Sequence, residues 1–374
     1  MKVALVHDFL VEYGGGERVL EALHEIFPDA PIYTAYFRLS GFGPHQSRIK
    51  QWNIKTSWMQ ILPKVFLSPC RIFAAKIFEG FDLSDYDLII SSCNTYFAKA
   101  VKVKPTALHI SYIHTPPRYL YGYTTSFNYK KNPLTRVSGE LANHYLRILD
   151  FKTSQRPNIL IANSKEVQAR IQKFYRRDSV VIYPPVSTVI PSEATPKAGD
   201  KKYFLSVGRL VRGKGIDVIV KAFTKLNLPL KVVGSGPEIK SLKFKVQSAK
   251  LKNIEFLGQV ADDQLAGLYA NAKATIMASE DEDFGIVPVE SQALGTPVIA
   301  PRAGGFLETM IDGKTGMLYG GPGMVSAESL IEAIQRFNSS NNFKAEDCIK
   351  NAEKFSKEQF KKEILQLIDK HFKK

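Results

Sequence analysis

The chain has 374 residues, 44% of them apolar and 23% charged, with 51 Lys+Arg against 36 Asp+Glu and a formal net charge of +15. That length predicts two domains of ordinary size, and that apolar fraction excludes a disordered chain. Three widely separated cysteines, Cys70, Cys93 and Cys348, exclude a disulfide framework and a cysteine metal site and predict a reducing, cytoplasmic setting.

The first half carries most of the charge excess: residues 1–190 hold 24 Lys+Arg and 14 Asp+Glu, the remainder 27 and 22. A basic face attracts phosphorylated substrates, anionic lipid or nucleic acid, and plain solvation explains surface lysines equally well. The N-terminus, Lys2 to Asp8, reads as a short strand entering a polar turn rather than a signal peptide. No run approaches the ~20 apolar residues that span a bilayer.

In chain order, strands are predicted at Val3–Val6, Ile32–Tyr36, Leu88–Ser92, Leu108–Ile113, Ile159–Ala162 and Val180–Tyr183. Helices lie between them, for example Gly16–Phe27 and Lys165–Phe174, and this alternation predicts a parallel sheet. Pro184, Pro185, Pro191 and Pro196 then fall among Ser, Thr, Ala, Gly and Lys, so residues 187–201 read as a linker between a domain at 1–186 and a second at 202–354. The second half restarts the rhythm, with strands at Tyr203–Val207, Leu230–Val233, Ile254–Leu257, Ala274–Met277 and Pro297–Ala300. Residues 355–374 form a lysine-rich helix whose Phe360, Ile364, Leu367, Ile368 and Phe372 make an apolar stripe.

The most informative stretch is Glu282-Asp283-Phe284-Gly285-Ile286-Val287-Pro288-Val289-Glu290, two glutamates seven residues apart around a Phe-Gly-Ile turn. It follows a buried strand, and Glu290 to Leu294 reads as a helix that stops at Gly295, placing Glu290 in the first turn. Ligands of open α/β sheets bind at such strand-end loops. Free helix-end N–H groups favour an anion and carboxylates accept hydrogen bonds from hydroxyls, so the stretch suits a nucleotide-activated sugar. Similar strand-end loops carry Gly14-Gly15-Gly16, His114 with Arg118 behind it, Gly208-Arg209 with Lys214, and Gly234-Ser235-Gly236-Pro237-Glu238. Each also has an ordinary reading, as a tight turn, a hydrogen-bonded loop histidine, a solvated basic loop and a helix-initiating turn. Asn163-Ser164 reads as a helix N-cap.

Together, and in this order, these motifs resemble the retaining family-4 glycosyltransferases, with their Glu-x7-Glu signature; the resemblance runs over nearly the whole chain. It implies an α/β fold of the GT-B class, two Rossmann-like parallel-sheet domains facing across a cleft, with the last helix crossing back to the first domain. The wording of the Glu282–Glu290 stretch looks like bacterial mannosyltransferases of surface-polysaccharide assembly, which implies GDP-mannose as donor and a saccharide or lipid-linked saccharide as acceptor. Carried over position by position, the resemblance gives Arg209 and Lys214 the diphosphate and Glu282 a donor-sugar hydroxyl. Glu290 takes the ribose, and Phe284, Gly285, Ile286 and Val287 take sugar and diphosphate contacts. Gly15 and Gly16 face the donor phosphates, Gly234 the base and ribose, and His114 the donor sugar. Asp8 and Arg118 are acceptor-side candidates. No residue cluster has metal-ligand spacing, so the reading carries no metal and no cofactor beyond the donor.

Residues 48–79 mix Arg48, Lys50, Lys55, Lys64, Arg71 and Lys76 with Trp52, Trp58, Phe66, Phe73 and Phe78, a composition suited to peripheral contact with an anionic membrane or to an ordinary core-facing helix. A UDP-sugar donor on the same fold stays open, as no residue visibly reads the base. A catalytically dead scaffold and a nucleic-acid-binding protein are rival classes. Charge alone supports the latter and no recognition motif does, so no nucleic-acid partner is expected. A phosphorylase-like enzyme would need pyridoxal phosphate and a longer chain.

Overall fold

The computed structural model describes residues 1–63, 66–67, 69–94, 97–123, 133–186, 202–340 and 342–372, with backbone alone at 133–136 and 138. The predicted linker at 187–201 and Lys64 lie outside the described residues. The chain forms two compact units, one built from the residues up to Pro185 and from Glu358 onward, the other from Val186–Lys357.

The first unit contains β1 (Val3–His7), α1 (Gly15–Ile26), β2 (Ile32–Thr34), α2 (Gln46–Ile49), β3 (Ile54–Thr56), α3 (Ala74–Glu79), β4 (Leu88–Cys93), β5 (Leu108–Ile113), α4 (Pro133–Ser154), β6 (Ile159–Ala162), α5 (Lys165–Tyr175) and β7 (Val180–Val181). Its seven strands pair in parallel in the order β3-β2-β1-β4-β5-β6-β7. The β-rich runs are buried on both faces because helices cover both, which is why Val3–Val6 and Leu88–Ile90 read as continuous apolar stretches rather than alternating ones. Ser164 accepts a hydrogen bond from the Val167 N–H at 3.1 Å and caps α5.

The second unit contains β8 (Tyr203–Val207), α6 (Ile216–Leu226), β9 (Leu230–Val233), α7 (Ile239–Ser248), β10 (Ile254–Gly258), α8 (Asp262–Ala270), β11 (Ala272–Ile276), α9 (Ile286–Ala293), β12 (Val298–Pro301), α10 (Phe306–Thr309), β13 (Gly316–Tyr319), α11 (Ala327–Asn338) and α12 (Ala345–Ala352). Its six strands are parallel in the order β10-β9-β8-β11-β12-β13. α6 shows how sequence sets packing: Ile216, Ile219, Val220 and Phe223 recur at helical spacing and all are buried, while Asn227 ends the helix in a left-handed conformation.

The last helix, α13 (Lys357–Phe372), inserts Phe360, Ile364, Leu367 and Ile368 into the core of the first unit beside Leu5, Leu20 and Ile90. The Phe360 ring stands edge-on to Tyr112 at 6.1 Å, and Lys361 meets Glu25 at 2.9 Å. Phe372, expected in the apolar stripe, is exposed, because the helix has passed the core by its last turn.

In both sheets the strand order reverses next to the first strand, between β1 and β4 and between β8 and β11. The loops leaving these strands diverge to opposite faces and leave a crevice at the carboxyl edge. The sequence motifs sit on those loops. The sequence reading named neither β3 nor β13, nor the helices α10, α11 and α12 that follow β12.

Candidate functional sites

In the second unit, Lys214 follows β8 and Glu282 follows β11, on either side of the strand reversal. The Lys214 ammonium Nζ lies 2.8 Å and 3.0 Å from the two carboxylate oxygens of Glu282. Ser279 donates its hydroxyl to Oε2 of the same carboxylate at 2.7 Å. The pair is mostly shielded, with side chains 27% and 13% exposed, so each partner fixes the other. The close approach of the two loops is secured by Gly215, whose φ is +64° and where a Cβ would fall 2.2 Å from the Ala278 carbonyl oxygen. Arg209 stands exposed on the same loop as Lys214.

Next in the loop, Phe284 is buried against Phe355 with ring centroids 5.4 Å apart. It anchors the turn by its side chain. Gly285 turns the chain at φ +90° into α9, whose N-terminus has no side-chain cap. The first-turn N–H groups, including those of Ile286 and Val287, have no intrahelical acceptor and bear the positive end of the helix dipole. Here the structure corrects the sequence reading: α9 begins at Ile286, so Glu290 lies in the second turn, beyond the reach of the first-turn N–H groups. Its carboxylate instead accepts the Tyr269 hydroxyl at 3.0 Å. Pro288 is the third residue of α9, within its first turn, where a missing N–H costs no helical hydrogen bond. Gly234 closes the β9 end of the crevice; its φ is +130° and a Cβ there would meet the Gly208 carbonyl oxygen at 1.9 Å.

The sequence reading missed the support beneath this loop. Gly304 and Gly305 follow β12, and the Gly305 N–H donates to the Glu282 carbonyl at 2.9 Å. A Cβ on Gly304 would fall 2.4 Å from that same carbonyl oxygen, and one on Gly305 would fall 2.4 Å from Phe284 Cα. The Glu282–Gly285 backbone therefore rests directly on two glycines. The paired glycines just past a predicted strand were the available signal, readable only with knowledge of what packs on them. Tyr269 and Ser279 carried no signal of their own.

The first unit holds a second polar cluster at its own strand reversal. Gly16, in the first turn of α1, lies so that a Cβ would be 3.6 Å from His7 Cε1 and 3.7 Å from both Asn94 Nδ2 and His114 Nε2. His114 follows β5 and shares a 2.8 Å hydrogen bond between its Nε2 and the Ser92 hydroxyl. Burial, followed by the field of His7, pushes its pKa from the usual 6.5 down to about 3. It is therefore a neutral imidazole at physiological pH, able to hydrogen-bond but not to supply charge. His7 Nε2 lies 3.5 Å from Glu17 Oε1, while Glu17 Oε2 takes the Gly14 N–H at 2.9 Å. The Nδ1 of His7 is buried with no hydrogen-bond partner among the described residues. Gly15 is exposed at the helix start.

Asp8, an acceptor-side candidate, accepts the Asn94 N–H at 2.7 Å and the Ala98 N–H at 2.9 Å. These bonds make it a tie between the β1 and β4 loops. Arg118 is half-buried in the turn after His114, its carbonyl taking the N–H groups of Tyr121 and Tyr123. Among the described residues, no group of three or more His, Cys, Asp or Glu is placed to hold a metal ion. No helix there is long and apolar enough to cross a membrane.

Residues 190–355 match the family model described as "Glycosyl transferases group 1". A D-inositol 3-phosphate glycosyltransferase of Arthrobacter sp. (strain FB24) is 31% identical over 226 residues, 55% of this chain and 51% of the relative. The O-antigen chain mannosyltransferase RfbU of Salmonella typhimurium (strain LT2) is 32% identical over 208 residues, 52% of this chain and 58% of the relative. The chain spans about half the length of the curated relatives it matches. Among solved structures, Anabaena Alr3699/HepE in complex with UDP and glucose matches over 99% of both chains with a TM-score of 0.71 at 19% identity. The two parallel-sheet α/β units thus have the GT-B fold.

Proposed function

We propose that this chain is a retaining glycosyltransferase that moves a hexose, mannose from GDP-mannose, onto a hydroxyl of a saccharide or lipid-linked saccharide in cell-surface polysaccharide synthesis. The observation that carries this reading is the Lys214–Glu282–Ser279 cluster at the strand reversal of the second unit, within a segment that matches the group 1 glycosyltransferases. The mannosyl reading draws on the likeness to an O-antigen chain mannosyltransferase. A place at the cytoplasmic face of a membrane suits such an acceptor.

In the proposed reaction the bond between the anomeric carbon and the diphosphate oxygen breaks, and a bond from the same carbon to the acceptor oxygen forms on the same face. The acceptor's proton passes to the departing diphosphate. Arg209 and Lys214 stabilise the charge gathering on that diphosphate. Glu282 holds a hydroxyl of the sugar and Glu290 the ribose, while the free N–H groups at the start of α9 receive sugar and phosphate oxygens. From the first unit, Gly15 and Gly16 contribute backbone contacts to the phosphates, and neutral His114 a hydrogen bond to the sugar. Asp8 and Arg118 serve on the acceptor side, Asp8 through the loops it ties together.

A donor panel tests this reading. Purified protein is incubated with GDP-mannose, UDP-glucose and UDP-N-acetylglucosamine, and nucleotide release is read beside thermal shift. Selective stabilisation and slow release with GDP-mannose are expected, both diminished in Glu282→Gln. A response to a UDP-sugar alone removes the mannosyl assignment. Silence across the panel, with Glu282→Gln indistinguishable from wild type, overturns the enzyme reading.

A further inference from the structure

α4 carries an apolar stripe on the side opposite its buried face. Asn143, Leu146, Asp150 and Thr153 lie on the buried face, where Asp150 pairs with Lys99 at 2.6 Å. Val137, Leu141, Tyr145, Ile148 and Phe151 recur every three or four residues on the opposite side, and all are exposed, Val137 and Leu141 by 65% and 69%. A helix of 22 residues is about 33 Å long, so this is an extended apolar stripe rather than a scattered residue or two. The neighbouring segment behaves alike: the 3₁₀ turns Trp58–Ile61 and Pro69–Phe73 and the residues between them expose Trp58, Ile61, Phe66, Ile72 and Phe73. The two are joined within the unit. Arg71 covers the Tyr119 ring at 4.9 Å, Arg147 of α4 donates to the Leu120 carbonyl at 3.1 Å, and Arg156 just past α4 meets Glu79 at the end of α3 at 2.5 Å.

Charge identifies the occupant. Between Asp29 and Glu79, the stretch that holds the Trp58–Phe73 segment, the sequence has seven Lys or Arg and no Asp or Glu, and Arg48, Lys50, Lys55 and Lys76 among them are exposed. Two copies of so basic a stretch repel one another, and a strongly basic protein partner is disfavoured for the same reason. An anionic lipid surface attracts it, and the aromatic-aliphatic mixture suits the boundary between headgroups and acyl chains. We propose that the exposed face of α4, together with the Trp58–Phe73 segment, is a docking surface for an anionic membrane, on which the first unit lies without spanning it. This names the surface for the membrane-facing acceptor proposed above but does not depend on the transferase reading.

The test partitions the full chain on vesicles of phosphatidylcholine alone and of an equal mixture with phosphatidylglycerol, with no sugar nucleotide present. The wild type is expected on the anionic vesicles and not on the neutral ones, with release as salt rises. Leu141→Ser/Ile148→Ser is expected to lower the partition constant roughly tenfold or more, and Phe73→Ser to lower it by a smaller factor. All three are surface changes, so melting and response to the donor panel should match wild type. Absence of wild-type binding, equal binding to both vesicles, or undiminished binding by the double variant overturns the proposal. So does a variant that alters only self-association, which would make the stripe a contact between copies. A chain that docks but turns over no sugar nucleotide sinks the transferase reading alone.

Discussion

Gly305→Ala isolates one geometric term. Gly305 has φ −61° and ψ −15°, a conformation that alanine adopts without strain, so the substitution tests space alone. The new Cβ would lie 2.4 Å from Phe284 Cα and carbonyl oxygen and 2.5 Å from its carbonyl carbon. Ordinary contact begins near 3.4 Å, so one strand of backbone must retreat by roughly 1 Å, because no flexible side chain is available to yield. Overpacking of this kind costs about 1–3 kcal/mol of stability. A displacement of about 1 Å at a positioning loop costs on the order of 100-fold in turnover. The Gly305 N–H bond to the Glu282 carbonyl would stretch with it, loosening the carboxylate that holds Lys214. Urea unfolding should be followed by circular dichroism, because both tryptophans, Trp52 and Trp58, lie in the first unit and report little of the second. Gly267→Ala in α8 is the control: nothing lies within 4 Å of its Cβ position, and alanine in a helix should stabilise by about 0.5–1 kcal/mol. If Gly305→Ala unfolds with the control and keeps nucleotide-sugar turnover within twofold, the Glu282–Gly285 loop does not rest on these glycines.

Lys214→Met should lower turnover by about 10²–10³-fold, as expected when one preorganised donor to a developing oxyanion is lost; single-turnover release of nucleotide checks it, and a change in KM alone would place Lys214 in ground-state binding. Lys99 and Asp150 form a buried pair, with Tyr121 donating to Asp150 at 2.7 Å; Asp150→Ala should cost roughly 3–5 kcal/mol, read by tryptophan fluorescence, and Lys99→Met/Asp150→Leu should recover much of that loss. Burial pushes the pKa of His109 from 6.5 to about 3, so the folded state resists a proton that the unfolded chain accepts. Its stabilising contribution is complete above pH 6.5 and is lost as pH falls toward 3, by about 1.4 kcal/mol per pH unit. His109→Gln should therefore show a shallower fall than wild type between those limits in urea titrations at several pH values, and parallel curves would refute the burial argument.

The architecture was legible because strands buried on both faces and helices with one apolar face leave different periods in the sequence. The parallel alternation, the strand-end position of every motif and the Ser164 cap follow from local chemistry alone. Boundaries were less legible. Helix α9 starts at Ile286 rather than near Glu290 because Gly285, at φ +90°, lets the chain turn into the helix at once, a conformation that no neighbouring residue announces. β3 and β13 are three- and four-residue edge strands whose pairing partners, not their own composition, make them strands.

The site divides along the same physical line. Charged and glycine-rich residues on strand-end loops announce themselves, since burial would penalise them and a turn requires them. The residues that fix their positions do not. Ser279 is one serine among many until the Glu282 carboxylate is found 2.7 Å away. Asp8 reads as a chemical candidate until both of its oxygens are found on backbone N–H groups of another loop. Lys214 and Glu282, 68 residues apart in sequence, were assigned to different parts of a ligand, yet they pair with each other. That pairing gives the site its electrostatic logic. An unpartnered ammonium in a crevice would bind any anion, whereas one already neutralised by Glu282 is released to a diphosphate only when a hydroxyl takes up the carboxylate's hydrogen-bonding capacity. A ligand that carries both groups, as a nucleotide sugar does and inorganic pyrophosphate does not, is the one that satisfies both partners. Binding of pyrophosphate should therefore improve in Glu282→Gln while binding of the sugar nucleotide weakens, a crossing that titration calorimetry can measure; a parallel change in both would refute the coupling.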